Sequence, residues 1–243
     1  MAHSENTGES SSPKVGPTNP SAEVGIEVSN AEFIAAVFPQ LPSDAVVAVC
    51  SKPGDPTQGG WYPMRGDTQS EKLLPTNNNY VNSASIKPLA DGTVSVKGEQ
   101  VAMHHFLLLD DVGTKVDRCK LNGLKPTWEI ETSPGNSQMG FRFESPLVGG
   151  KLFKAIQNAA IAAGLCDPGA NGAVRWARLP VGINGKEKCR DPAGKPYACR
   201  AKQWNPRVGY SVSVLVDTLT LKLDAPEDLP VTSMVESAGV TSV

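Results

Sequence analysis

The apolar run Phe106-Leu107-Leu108-Leu109 ends in two acids, Asp110 and Asp111. Adjacent carboxylates at the end of such a strand are costly to hold near a core unless positive charge fills the space between them. A hard divalent cation with oxygen ligands is the obvious occupant. Successive strand side chains point to opposite faces, so both acids reach one site only if the strand ends or bulges there, which Gly113 would permit. A solvated strand end capped by acids would carry the same residues.

Further along, Glu131-Thr132-Ser133-Pro134-Gly135-Asn136-Ser137-Gln138 puts hydroxyls, amides and backbone N–H groups on a tight turn, chemistry suited to a phosphate or a sugar. Glu129 and Glu131 share a strand face and are either ligands or an exposed polar face. Val174-Arg175-Trp176-Ala177-Arg178-Leu179-Pro180 places two arginines three apart on a strand, and Lys186 follows a Gly-Ile-Asn-Gly turn. Guanidinium forks and an ammonium suit a triphosphate, although a few basic residues near a loop also describe a solvated face. His104 and His105 precede the acids and read as structural.

The elements that must position these groups follow from capping and periodicity. Ser29-x-x-Glu32 is a capping box ahead of Phe33, Ile34, Val37 and Phe38, with Pro39 as the stop. Ala45 to Cys50 is a buried-type strand, the pattern from Thr68 to Pro88 is weak, and Thr93 to Lys97 alternates like a strand. Ala102 to Leu109 predicts the strand that carries the acids, and residues 127–132 and 139–144 flank Ser133 to Asn136 as a hairpin. A helix is predicted from Leu147 to Gly164, then a strand from Val174 to Leu179, a polar loop to Pro206, and strand-like alternation from Tyr210 to Leu223. This order gives an α+β fold with a small sheet and helices packed on it, for which an RRM-like core is one fitting architecture.

Residues 1–24 have too few apolar groups to offset the entropy of ordering and read as a disordered arm; residues 25–224 form the folded domain, and 225–243 read as tail or linker. A net charge of −2 gives no global basic footprint, so nucleic-acid contacts must come from local Lys and Arg clusters. Five cysteines at irregular spacing, without a C-x-x-C pair, predict free thiols. The start lacks an apolar leader and no stretch is long enough to span a membrane, so the expected location is the cytoplasm, with no membrane partner.

Taken in order, Leu107 to Asp111, Glu131 to Gln138, Cys166-Asp167-Pro168 and Arg175 to Lys186 resemble the RepB-type DNA primases of plasmids and phages, within the archaeo-eukaryotic primase superfamily. The resemblance covers about residues 100–190. It implies an RRM-like mixed or antiparallel sheet as catalytic core, with an additional N-terminal α/β unit, and a nucleotidyltransferase that makes primers on single-stranded DNA from nucleoside triphosphates. It implies Mg²⁺ or Mn²⁺ in a two-metal site held by Asp110, Asp111 and Asp167, of which Asp167 is singled out by the resemblance alone. Ser133, Asn136 and Gln138 stand where the superfamily often has a Ser-x-His nucleotide motif, Gln138 taking the His place, and Arg175, Arg178 and Lys186 correspond to its basic stretch. No Walker A string occurs, so unwinding would need a helicase in trans or as a further fused domain. The competing readings are a non-catalytic single-stranded DNA-binding initiator with the same fold and a metal-dependent phosphoesterase.

Overall fold

Ser29 starts the first helix, α1 (Asn30–Val37): its hydroxyl accepts from the Glu32 N–H at 3.1 Å, and the Glu32 carboxylate accepts from the Ser29 N–H at 2.9 Å. This reciprocal cap satisfies N–H groups that no helical carbonyl can reach. The structure, a computed structural model, describes residues 25–167, 169, 172 and 174–223. The expected arm, the expected tail and Pro168 lie outside the described residues.

The strands are β1 (Val46–Lys52), β2 (Met64–Arg65), β3 (Asn78–Ile86), β4 (Val101–Val112), β5 (Trp128–Ser133), β6 (Asn136–Val148), β7 (Trp176–Arg178), β8 (Ile183–Asn184), β9 (Tyr197–Ala198) and β10 (Arg200–Trp204). The remaining helices are α2 (Gly150–Ala162) and α3 (Val212–Thr218). An antiparallel sheet runs β10-β5-β6-β4-β3-β1-β2, and β8 and β9 form a separate ribbon. β1, β2 and β3 belong to this same sheet, and the structure does not mark off the expected additional N-terminal unit from it.

One pairing matters most for the site. β4 pairs with β3 only at Ala84–Ile86, and β7 takes the same edge of β3 at Tyr80–Asn82. The acidic half of β4 therefore parts from β3 and keeps only β6 as its partner.

Side chains of β4 alternate between two cores. Leu107, Leu109 and Val112 pack with Phe153 and Ile156 of α2 and Leu215 of α3; Phe106 and Leu108 pack with Phe33 and Val37 of α1. The alternation changes phase at the register shift between His104 and Phe106, so that His105 and Phe106 both meet Phe38. His104 stacks on Phe153 at 3.9 Å between ring centroids, and His105 lies 4.7 Å from Phe38. Trp128 crosses close to β6, where a Cβ on Gly140 would sit about 2.1 Å from the indole, so only glycine fits.

Four expectations change. The weak stretch before Pro88 contains β3, all nine of whose residues are buried, and the polar loop to Pro206 contains β8, β9 and β10. Asn78, Asn79, Asn82, Ser83 and Ser85 hide β3 from any apolar count, yet the Asn78 amide donates to the carbonyls of Lys52 and Gly54 at 2.9 and 2.7 Å, and Asn79 to those of Leu74 and Val181 at 2.8 and 2.9 Å. Buried polar groups are tolerated when bonded in this way. Thr93–Lys97 is not a strand, although Val94 is buried. The alternating stretch from Tyr210 turns into α3, because Ser211 caps it by accepting from the Val214 N–H at 3.3 Å and Leu215 and Leu219, four apart, face the core.

Burial holds the His104 ring down at about 4, and burial together with its neighbour His104 holds His105 at about 3. An unfolded chain takes up these protons near pH ~6.5, so between that value and the folded values the unfolded state binds more protons and stability falls as pH falls. The melting temperature is expected to be flat above about pH 7 and to decline between about pH 6.5 and 4, with a shallower decline in His104→Leu. Thermal unfolding across that range checks this, and an unchanged slope in the variant would remove His104 as a cause.

Candidate active site

Register between β4 and β6 holds at Leu109↔Met139 and resumes at Val112↔Ser137, so β4 carries one residue more than its partner. The surplus falls at Asp110-Asp111, with Asp111 in the left-handed region at φ +57. This is the bulge that the paired acids require to leave strict alternation. Gly113 follows at φ +95, and a Cβ there would meet the Gly135 carbonyl oxygen at 2.5 Å, so the glycine lets the hairpin turn lie directly against the bulge.

The turn then fixes Asp111. Asn136 Nδ2 donates to Asp111 Oδ1 at 3.0 Å, and Thr114 Oγ1 donates to Asn136 Oδ1 at 3.0 Å. The Asp111 N–H donates to Asp110 Oδ1 at 2.8 Å. Lys115 places its ammonium 2.7 Å from Asp111 Oδ2 and 3.8 Å from Asp167 Oδ2. Asp167 arrives from the segment after α2, anchored where Cys166 Sγ donates to the Leu108 carbonyl at 3.5 Å. Asp110 is within electrostatic reach of Lys115, Tyr80 and Cys166. Burial works to push the Asp111 carboxyl up, but Lys115 and Asn136 outweigh it and hold the group below the ordinary carboxylate range.

Asp111 and Asp167, distant in sequence, thus share one cation. Hard oxygen donors around a seat of positive charge suit Mg²⁺ or Mn²⁺ chemically. Among the described residues, however, no three acidic, His or Cys side chains are gathered tightly enough to hold a metal, and Lys115 takes the position between Asp111 and Asp167.

The basic stretch splits. Arg178 is only 3% exposed: its guanidinium donates to Asn78 Oδ1 at 3.2 Å, the Ile183 carbonyl at 2.6 Å and Asn184 Oδ1 at 2.7 Å, and lies 4.7 Å over the Tyr80 ring. Its backbone N–H donates to Gln138 Oε1 at 2.8 Å, and Asn184 Nδ2 donates to the Thr132 carbonyl at 2.7 Å, tying the same hairpin from behind. The fork is therefore built into the wall and not presented to solvent. Arg175 is fixed by its backbone to Ser83, at 2.7 and 3.0 Å, and its guanidinium is half-buried near Cys166. Lys186 is half-buried just after β8, and Ser133 closes the hairpin opposite Asn136.

Glu129 and Glu131 are both committed elsewhere. Glu129 is buried, contrary to an exposed polar face; burial pushes its carboxyl up, and Arg118, Ser137 and Gln203 together hold it below the ordinary range. Glu131 accepts from the Tyr197 hydroxyl at 2.5 Å and the Gly135 N–H at 3.1 Å. Beside the turn, Lys115, Arg118, Lys202, Asp117 and Glu131 line an open groove of about 600 Å³. The sequence reading missed Lys115, Lys188, Asn78 and Asn184. Only Lys115 left a signal, standing four residues after Asp111; Lys188 comes within electrostatic reach of Asp111 through the fold alone.

Two solved structures resemble this fold. The AEP domain of the cyanophage S-2L primase-polymerase superposes with a TM-score of 0.53 at 13% identity, over 77% of this chain and 95% of that one. Primase RepB' superposes with a TM-score of 0.51 at 17% identity, over 79% of this chain and 62% of that one. At such identities the likeness establishes the fold. No curated protein sequence matches the chain. The family described as the RepB DNA-primase N-terminal domain matches residues 67–224, more than half of the sequence, spanning the acids, the hairpin and the basic stretch. The chain belongs to that family.

Proposed function

We propose that residues 25–224 form the catalytic domain of a DNA primase that joins nucleotides on a single-stranded DNA template with Mg²⁺ or Mn²⁺, acting in the cytoplasm alongside a helicase. The observation that carries this reading is the convergence of Asp111 and Asp167 on one seat of positive charge at a β-bulge, with Asn136 fixing Asp111. In this reading Asp110, Asp111 and Asp167 would hold the metal, in competition with the Lys115 ammonium. Bound divalent ions lower the pKa of an attacking hydroxyl and stabilise charge on the phosphates.

The protein's own groups supply the positioning. Ser133 and Asn136, on the turn against the acids, face the nucleotide, while Gln138 braces the hairpin through the Arg178 backbone. Arg175 and Lys186, with Lys188 near Asp111, offer donors to a triphosphate. Arg178 acts from behind: a buried guanidinium with neutral acceptors adds positive potential to the wall while holding Asn184 and the hairpin in place.

The Lys115 ammonium between Asp111 and Asp167 favours one alternative, a non-catalytic single-stranded DNA-binding initiator that has replaced metal with a fixed cation. De novo synthesis on single-stranded templates with Mn²⁺ separates the two. Labelled oligomers are expected from the wild type, and losses of at least about 100-fold from Asp110→Ala and Asp111→Ala, without a change of fold by circular dichroism. Product from either variant at the wild-type rate would remove that acid from the site.

Arg178→Lys is expected to lose roughly 1–3 kcal/mol of stability in urea unfolding, because one ammonium cannot meet three divergent acceptors and a buried unmet acceptor is costly. Wild-type stability in that variant would show that the fork is not needed.

A further inference from the structure

Trp61 and Tyr62, on the loop between β1 and β2, are 40% and 77% exposed. Large aromatic surface is not left in water without cost. Trp61 lies 4.7 Å from Tyr80 and 6.0 Å from Trp176 between ring centroids. Tyr80 pairs directly with Arg178 across β3 and β7, and Asn82 with Trp176, so these four side chains share one face of the sheet. Arg178 beneath Tyr80 backs that ring with a cation, with no carboxylate neutralising the guanidinium among the described residues, and Trp61 leans on the same ring at 53° between planes. Asn82 is wholly buried beside Trp176, and its Nδ2 finds no acceptor among the described residues. Asp110 lies within electrostatic reach of Tyr80.

An exposed indole face, packed against a ring that a guanidinium backs, suits a flat, electron-rich ring: a nucleobase. A base paired within a duplex has both faces covered, so the base taken here is unpaired. We propose that Trp61, tilted against Tyr80 and Trp176, is a stacking platform for an unpaired base of single-stranded DNA. This rests on the reading that the chain engages single-stranded DNA, and it names the side chains that grip it.

The test uses the full chain without added metal and a fluorescein-labelled single-stranded oligonucleotide, in base-bearing and abasic forms, read by anisotropy. The wild type is expected to prefer the base-bearing strand. Trp61→Ala is expected to shrink that preference about tenfold, the scale of one lost stack, with the salt dependence unchanged because phosphate contacts are untouched. Trp61→Phe, which keeps an aromatic face, is expected to retain most of the preference. An equal preference in Trp61→Ala and wild type overturns the platform. So does a variant that loses affinity only for free nucleoside triphosphate, or a chain that binds neither strand. The outcomes separate from those of the synthesis assay. A wild type with a Trp61-dependent base preference and no product keeps the platform and rejects the primase, and product with an unaltered preference in Trp61→Ala does the reverse.

Discussion

Between Leu109 and Val112, β4 carries one residue more than β6, and Asp111 absorbs the surplus in the left-handed region. For a residue with a Cβ that conformation costs roughly 1–2 kcal/mol, offset here by the Asn136 amide, the Lys115 ammonium and the closed turn on the Asp111 carbonyl. Without the bulge, strict alternation would aim Asp111 into the core that Leu107 and Leu109 share with α2. An unpaired carboxylate there would be far costlier than the strained backbone. The bulge thus converts the end of a core strand into a charged site.

The rest of the site is organised around that step. β7 occupies the edge of β3 that β4 has left, the segment after α2 brings Asp167 beside Asp111, and the β5–β6 turn lies so close that residue 113 must lack a side chain. The hairpin is the hub. Its front reaches Asp111 through Asn136, and its back is bound to Arg178 and Asn184 through Gln138 and Thr132.

Much of this was legible in the residues. The capping box at Ser29, the apolar strand ending in acids, the hairpin and the long helix all carry local signals, and local signals survive folding. The ordered spacing of acids, turn and arginines also pointed to the family. What escaped was whatever depends on distant partners. β3 is an interior strand built of Asn and Ser, whose burial makes sense only once the loops at Gly54, Leu74 and Val181 are seen to bond it. Nothing in the sequence shows that Asn78 and Asn184 enclose Arg178. α3 hid behind an alternating start, where a serine cap and two leucines a turn apart were the better guide.

The central claim is that the gap between Asp111 and Asp167 is a cation seat that Lys115 and a divalent metal contest. Loss of the free Mn²⁺ signal in electron paramagnetic resonance measures that contest directly, with no need for turnover. The account predicts that the wild type takes up Mn²⁺, that Lys115→Met binds it more tightly, and that Asp111→Asn binds it at least about tenfold more weakly. Equal uptake by wild type and Asp111→Asn, or weaker uptake by Lys115→Met, would contradict it.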